Sequence, residues 1–166
     1  MGLFDLIEWL NEKVGMIGAW IVIPLNAVVV YEVLIRYVFN NPTDWVYDTA
    51  WMLFSAMFLL GGGYTMVHKR HVRIDIIFSA LPKRWQAWYD SFFFAIIFLP
   101  IMAILTWKGT QFAARAWSTS EYLSTTLWHF PAGPVKTMIP LGFGMLMLQG
   151  VVELFRNLRV AVKGEE

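Results

Sequence analysis

The hydrophobic positions of this chain gather into four long segments, which cover about residues 14–37, 45–67, 87–107 and 132–155. Each segment reaches or approaches the roughly 20 residues that a helix needs to cross a hydrocarbon core of about 30 Å. Three of the segments contain an internal proline, namely Pro24, Pro100 and Pro140. In a membrane, neighbouring helices can satisfy the carbonyl that a proline leaves free, so we predict kinked helices rather than breaks. The pattern predicts four transmembrane helices.

Two shorter stretches have the spacing of amphipathic helices. One is residues 2–13, and in the other Ile74, Ile77, Phe78 and Leu81 fall at i, i+3, i+4 and i+7. We expect both to lie along the membrane surface. The polar and aromatic stretch 108–130 predicts an interfacial or short helical excursion. The expected fold is an all-α integral membrane protein, a single domain over residues 1–166, with four transmembrane helices and short interfacial amphipathic helices.

Composition supports a membrane protein and excludes several kinds of site. Hydrophobic residues make up 58% of the 166 positions and charged residues only 15%, against about 45–50% and about 25% in soluble domains. The chain has no cysteine, which excludes disulfides, zinc–thiolate sites, iron–sulfur clusters and thiol catalysis. A net charge of +1 without a dense basic run gives no support for a nucleic-acid partner.

The basic residues predict an orientation. Nine of the thirteen Lys and Arg side chains lie near the termini or in the second connection: Lys13, Lys69, Arg70, Arg73, Lys83, Arg84, Arg156, Arg159 and Lys163. The other four are Arg36, Lys108, Arg115 and Lys136. The positive-inside rule therefore predicts a multi-pass protein of a bacterial or archaeal inner membrane, with both termini cytoplasmic.

Ionisable residues inside the predicted spans are candidates for function. Glu32 and Arg36 lie four positions apart, in the favoured order for an ion pair on one helix face, and Asp48 is expected at a similar depth. Charges in a membrane helix usually pair and face protein or water, so we expect the three to form a cluster. Two interpretations stay open: a transport or partner-docking site, or a structural ion pair with Arg36 reaching to the interface.

Glycines within two spans predict close helix packing. They are Gly61, Gly62 and Gly63 in the second span and Gly142 and Gly144 in the fourth. Small residues let membrane helices approach closely, and we expect some of these surfaces to contact another protein. A hinge at residues 61–63 is the alternative. The histidines are His68, His71 and His129, and their positions do not fit a haem site within a bundle. We predict no catalytic residue, no cofactor and no metal site.

Several short motifs together resemble a known transporter family. They are Arg36-Tyr37 followed by Phe39, then Asn41-Pro42, Trp45 and Asp48; His71-Val72-Arg73-Ile74-Asp75 after the second span; and Ile139-Pro140-Leu141-Gly142-Phe143 with Leu148-Gln149 in the fourth. With its size and four spans, the chain resembles the small membrane (Q, DctQ-like) subunit of tripartite ATP-independent periplasmic (TRAP) transporters. The pentapeptide at residues 71–75 is the most specific part of the match.

The resemblance implies a function that composition and spacing alone do not show. TRAP transporters import small organic anions, carboxylates or sulfonates, by symport with sodium. The resemblance implies an obligate large membrane subunit, which moves as an elevator and holds the substrate, and a periplasmic substrate-binding protein. The small subunit would be a scaffold in contact with membrane lipids and not an enzyme, with docking of the binding protein as a second role that the resemblance implies. The alternatives are a small four-helix membrane enzyme and a subunit of a redox complex.

Overall fold

The computed structural model describes residues 2–68, 82–123 and 128–163, and it confirms the all-α class. Its elements are α1 (Leu3–Trp20), α2 (Val22–Val38), α3 (Val46–Val67), α4 (Lys83–Phe93), a π-helical segment (Phe94–Phe98), α5 (Leu99–Ser118) and α6 (Ala132–Lys163). The interfacial helix expected around residues 74–81 and the motif at residues 71–75 lie outside the described residues.

Four described helical rods are long and apolar enough to cross a membrane, namely Leu3–Val38, Val46–Val67, Trp85–Ser118 and Ala132–Val162. The first rod has 36 residues, which at about 1.5 Å per residue is roughly 54 Å. That length exceeds a hydrocarbon core of about 30 Å, so part of the rod extends beyond the core or the rod is tilted. The stretch expected as a separate interfacial helix at residues 2–13 forms the first part of α1, with Gly2 as its N-cap, and residues 108–118 continue α5 rather than forming a separate excursion.

Two of the rods contain a local departure from α-helical geometry close to a proline. At Ile21 the backbone N–H donates to the Gly18 carbonyl at 3.2 Å, a tight turn three residues before Pro24. In the third rod, Phe94–Phe98 form a wider π-helical turn directly before Pro100, which lies in the first turn of α5. Because proline lacks an N–H, a helix adjusts its hydrogen bonding near it. In the fourth rod, Pro140 lies inside α6 and its ring packs beside Gly109.

Helices α3 and α6 form the centre of the bundle. Helix α3 packs against α1, α2 and α6, while α6 also packs against α1, α4 and α5. Helix α2 lies at the edge, where it packs mainly against α3. The phenyl rings of Phe4 and Phe155 are 5.7 Å apart, so the start of α1 and the last third of α6 lie at the same end of the bundle.

Small and polar residues occupy the interior, and large hydrophobic side chains cover the outside. Among the described residues, five of the eight buried hydrophobic ones are alanines: Ala87, Ala113, Ala116, Ala132 and Ala161. The buried polar residues are Asn11, Asp48, Ser91, Gln149 and Glu153. Trp51, Phe58, Ile104 and many other large apolar side chains are exposed. A soluble protein shows the reverse distribution, and the arrangement suits lipid, which solvates apolar side chains.

Glycines bring the central helices into contact within this chain. A Cβ atom added to Gly142 of α6 would lie 2.7 Å from Leu59 Cβ and 2.8 Å from the Leu59 carbonyl oxygen. One added to Gly62 would lie 3.0 Å from Leu146 Cδ1, and one added to Gly63 would overlap Asn11 Oδ1. At Gly144 the nearest atom would be Thr106 Cγ2, at 3.8 Å. Of the three consecutive glycines, Gly61 alone has no described atom within 4 Å of an added Cβ. A contact with another protein therefore stays a prediction at Gly61. The space beside Gly62 and Gly142 is occupied by Leu146 and Leu59 of this chain.

Candidate functional site

Glu32 and Arg36 are brought together near the end of α2. Arg36 donates from Nη2 to Glu32 Oε1 at 2.5 Å and from Nε to the same oxygen at 2.9 Å. The other carboxylate oxygen accepts the Thr43 hydroxyl, and the Thr43 N–H also donates to it at 3.4 Å. Thr43 belongs to the connection between α2 and α3, in which Asn40 has a positive φ of 50°. Glu32 thus fixes this connection onto α2.

Asp48 is buried in the first turn of α3. It lines a surface cleft of about 320 Å³ between α3 and the start of α6, together with Tyr47, Trp51, Met52, Ser55, Leu123 and Val135. That Asp48 completes a three-residue cluster with Glu32 and Arg36 stays a prediction.

A second polar group, at the interface of α1 and α6, was not identified from the sequence. Arg156 Nη2 donates to Glu8 Oε1 at 2.6 Å, and Arg156 Nη1 donates to Glu153 Oε1 at 3.1 Å. The Glu153 side chain is only 7% exposed, whereas that of Arg156 is 42% exposed. One cation therefore bridges two carboxylates and joins the first turns of α1 to α6. The polar positions 149, 153, 156 and 157 on one face of α6 are the sequence pattern that could have revealed it.

One turn further into the bundle, two amides meet in the interior. Asn11 Nδ2 donates to Gln149 Oε1 at 3.3 Å and to its own helix at Ile7 O, at 3.1 Å. Asn11 Oδ1 and Gln149 Nε2 are buried without a hydrogen-bond partner among the described residues. Asn11 Oδ1 occupies the space that a side chain at position 63 would take, so Gly63 makes room for it. The contact joins α1, α3 and α6 at one level.

The opposite end of the bundle is closed by the connection between α5 and α6. Its two sides pair as short antiparallel backbone, with Leu123 N donating to Phe130 O at 2.8 Å and Ala132 N donating to Glu121 O at 2.7 Å. Lys136 of α6, which is 12% exposed, lies 2.6 Å from Glu121 Oε2. The same ammonium sits 3.9 Å from the centre of the Phe112 ring. These contacts hold the connection against α5 and α6.

Metal ligation and haem binding gain nothing from the described side chains. No group of three or more His, Asp or Glu residues within metal-binding reach occurs in residues 2–68, 82–123 and 128–163. His68 lies at the end of α3, where Nδ1 is 3.1 Å from the Tyr64 carbonyl oxygen. His129 lies near the α6 start with a positive φ of 43°. Three described carboxylates join one part of the bundle to another, through Glu32–Thr43, Glu121–Lys136 and Glu8–Arg156.

Comparison with known proteins supplies the family. The family model of the DctQ component of tripartite ATP-independent periplasmic transporters matches residues 25–160, more than half of the chain. The chain is also 22% identical, over 138 residues, to the sialic acid TRAP transporter permease protein SiaT of Haemophilus influenzae (strain 86-028NP). That match covers 80% of this chain and 22% of the relative, so the chain spans about a fifth of the relative's length.

The match and the bundle agree on the kind of protein. The DctQ family is a transporter component, which decides against the enzyme alternative. The matched region includes α3, α4, α5 and nearly all of α2 and α6, and thus parts of all four membrane-length rods. This is a multi-pass inner-membrane protein, and it belongs to the DctQ family of small membrane components of TRAP transporters.

Proposed function

We propose that this chain is the scaffold subunit of a sodium-coupled TRAP transporter for small organic anions, carboxylates or sulfonates. It supports a large elevator-type membrane subunit, which binds the substrate. The observation that carries the proposal is the family match over residues 25–160. The similarity to a sialic acid permease supports an anionic substrate, because sialic acid carries a carboxylate.

The described ion pairs favour a supporting role over a substrate-binding one. Arg36 pairs with Glu32, Arg156 with Glu8 and Glu153, and Lys136 with Glu121. A cation engaged by a carboxylate is a poor receptor for an anionic substrate, since the substrate would have to displace the carboxylate. These cations hold helices and connections in place, as a rigid scaffold requires.

The same orientation that the basic residues predict gives the two ends of the bundle different roles. With both termini cytoplasmic, the connections after α2 and α5 face the periplasm. The Glu32–Thr43 and Glu121–Lys136 contacts would then present fixed surfaces to a periplasmic binding protein. Single cysteines in this cysteine-free chain test the orientation. We expect an impermeant thiol reagent to label Ser120→Cys in intact cells and Arg159→Cys only after lysis, and the reverse pattern would overturn the orientation.

The scaffold role is tested by deletion and by purification from native membranes. We expect a tagged chain to retain a much larger multi-span membrane protein, and we expect cells lacking the chain to lose sodium-dependent uptake of the transported organic anion. Plasmid-borne wild-type chain should restore uptake. Normal uptake in the deletion strain would overturn the support role. Sodium-dependent binding of the anion to the purified lone chain would overturn the assignment of the substrate site to the large subunit.

A further inference from the structure

Helix α2 carries an exposed asparagine, Asn26, in its second turn and among apolar neighbours. Asn26 Nδ2 donates to the Val22 carbonyl of its own helix at 2.8 Å. Its Oδ1 has no hydrogen-bond partner within the described chain. None of the residues of α2 is buried, although the helix lies in a membrane-length rod. This combination sets α2 apart from the other helices of the bundle.

Asn26 lies on the face of α2 that points away from the protein. The face against α3 is formed by half-buried residues at alternating spacings of three and four, namely Leu25, Val28, Glu32 and Ile35. On the opposite side, Asn26 shares a face with Ile23, Val30, Val33 and Tyr37, which are 57%, 56%, 49% and 79% exposed. We call these five residues the outer face of α2. A helix in a bundle usually packs on more than one side, and this side has no partner among the residues that the structure describes.

Lipid is a poor environment for the Asn26 amide. Acyl chains offer no hydrogen bonds, so a polar group at this depth favours contact with another polar group. The exposed threonines Thr65 and Thr110 avoid the problem, because each hydroxyl donates to a carbonyl of its own helix at 2.8 Å. Asn26 makes one such bond but keeps an open carbonyl acceptor and a second N–H. Asparagine side chains of this kind hydrogen-bond between membrane helices.

The third rod shows what a lipid-facing surface of this chain looks like. From Phe92 to Leu105 the sequence contains no polar side chain. Ile97, Ile101 and Ile104 of this stretch are 42%, 46% and 60% exposed. Both the outer face of α2 and this part of the third rod are exposed, so exposure does not distinguish them. The amide of Asn26 does, because this part of the third rod has no polar side chain.

We propose that the outer face of α2 packs against a transmembrane helix of the large TRAP subunit, which brings a hydrogen-bonding group to Asn26. The inference rests on the proposed scaffold function and adds the surface through which it acts. The permease of Haemophilus influenzae supports the choice of occupant, because this chain matches only 22% of its length. A segment like this one is thus part of a much longer permease polypeptide in that relative. A large membrane partner is therefore the occupant that we assign to the outer face of α2.

Photo-cross-linking in the intact complex tests the surface. Benzoylphenylalanine replaces Val30 on the outer face of α2, and in a matched control it replaces Ile101 on the third rod. We expect illumination of native membranes to join the Val30 variant to the large subunit and to leave the Ile101 variant joined to lipid. An adduct from Ile101 and not from Val30 would overturn the proposal. A Val30 adduct with twice the mass of the chain would do so too, because it would identify a second copy as the occupant. Absence of any protein adduct from Val30 would count equally against it.

A substitution separates the polar contact from the fold. Asn26→Leu removes the amide but no hydrogen bond to another described helix, so its thermal unfolding midpoint should equal that of wild type. In Asn26→Leu we expect the fraction of large subunit retained during purification to fall roughly threefold, which is the effect of one interhelical hydrogen bond. The control Thr65→Val should retain the large subunit as well as wild type does. Unchanged retention by Asn26→Leu would refute the role of the amide. If the wild-type chain retains no large membrane protein, the proposed scaffold function is wrong. If the wild-type chain retains it, but the Val30 variant gives no adduct with it and Asn26→Leu does not reduce retention, only the assignment of this surface is wrong.

Discussion

Asn11 of α1 donates a hydrogen bond to the side chain of Gln149 in α6, across 138 positions of sequence, at 3.3 Å. Asn11 is 1% exposed and Gln149 is not exposed at all. Gly63 of α3 leaves the space in which the Asn11 carbonyl lies. Three helices that are distant in sequence thus meet at one polar contact in the interior of the bundle.

This amide contact predicts coupling between two helices. Asn11→Ala and Gln149→Leu should each destabilise the purified chain, and the double variant should lose less than the sum. Interhelical hydrogen bonds in membranes contribute about 0.6 kcal/mol on average and up to about 1.7 kcal/mol, and we expect a coupling energy in that range. It is measured by a double-mutant cycle on unfolding in detergent, followed by the fluorescence of the nine tryptophans.

The matched control pairs Asn11→Ala with Thr137→Ala. Thr137 lies in the first turns of α6, where its hydroxyl contacts Trp117 Nε1 at 3.0 Å and the Gly133 carbonyl at 2.8 Å. Because Thr137 shares no partner with Asn11, the two changes should add to within about 0.5 kcal/mol. Additivity in the Asn11–Gln149 cycle as well would show that the contact contributes nothing to the joining of α1 and α6.

The sequence was sufficient for features that depend on neighbours along the chain. The four long apolar segments predicted the membrane rods, since a helix long enough to cross lipid needs one continuous run of apolar residues. The Glu32–Arg36 ion pair was readable because i and i+4 share a helix face. Rod ends were less readable: α5 continues to Ser118 through polar residues that hydropathy assigns to a connection.

Contacts between distant elements could not be predicted in the same way. The residues Asn40-Asn41-Pro42 are typical of a turn, but they do not show that the turn brings Thr43 to Glu32. Asn11 lies between the charged residues Glu8 and Glu12 in the sequence, and only the packing of α1 on α6 shows it to be buried. The sequence predicted close packing at the glycines without saying against what, and the structure shows that Gly62 and Gly142 face this chain's own helices.

Arg156 should contribute more to stability than a surface cation. In Arg156→Ala, the buried Glu153 carboxylate and Glu8 both lose their cation. We expect a loss of about 1–2 kcal/mol, below the 3–5 kcal/mol of a fully buried pair, because Arg156 is itself partly exposed. Chemical unfolding of the purified variant measures it.

Arg159→Ala serves as the comparison for Arg156. The Arg159 guanidinium lies 5.8 Å from the centre of the Phe4 ring, a weaker contact on the same helix. Its removal should change stability by less than about 1 kcal/mol. Raised ionic strength should weaken the exposed Glu8–Arg156 contact. The difference in stability between Arg156→Ala and Arg159→Ala should therefore become smaller at high salt. Equal effects at low salt would show that the bridge to Glu153 carries no special stability.

The Glu32–Thr43 contact should hold the connection between α2 and α3 closed. Thr43→Val removes the hydroxyl donor at nearly constant volume, so Glu32 loses a hydrogen bond that joins it to the connection. We expect faster proteolysis within residues 39–45 of the purified chain, while the rods stay intact. In Thr49→Val the lost bond goes only to the Trp45 carbonyl within the first turn of α3, at 2.9 Å. That variant should be cleaved at the wild-type rate, and equal rates in both variants would contradict the role of Thr43.

Two glycines of α6 that lie two positions apart should respond differently to the same added methyl group. In Gly142→Ala the new Cβ would meet the Leu59 carbonyl oxygen at 2.8 Å, and because that atom is backbone, α3 and α6 must separate. Overpacking of this kind costs about 1–3 kcal/mol. In Gly144→Ala the nearest atom is 3.8 Å away, so the change should be neutral or slightly stabilising, since alanine favours the helix over glycine. For a chain of this size the Gly142 loss corresponds to a fall in unfolding midpoint of roughly 2–4 °C per kcal/mol. A Gly142→Ala variant as stable as Gly144→Ala would mean that α3 and α6 are not in close contact at this level.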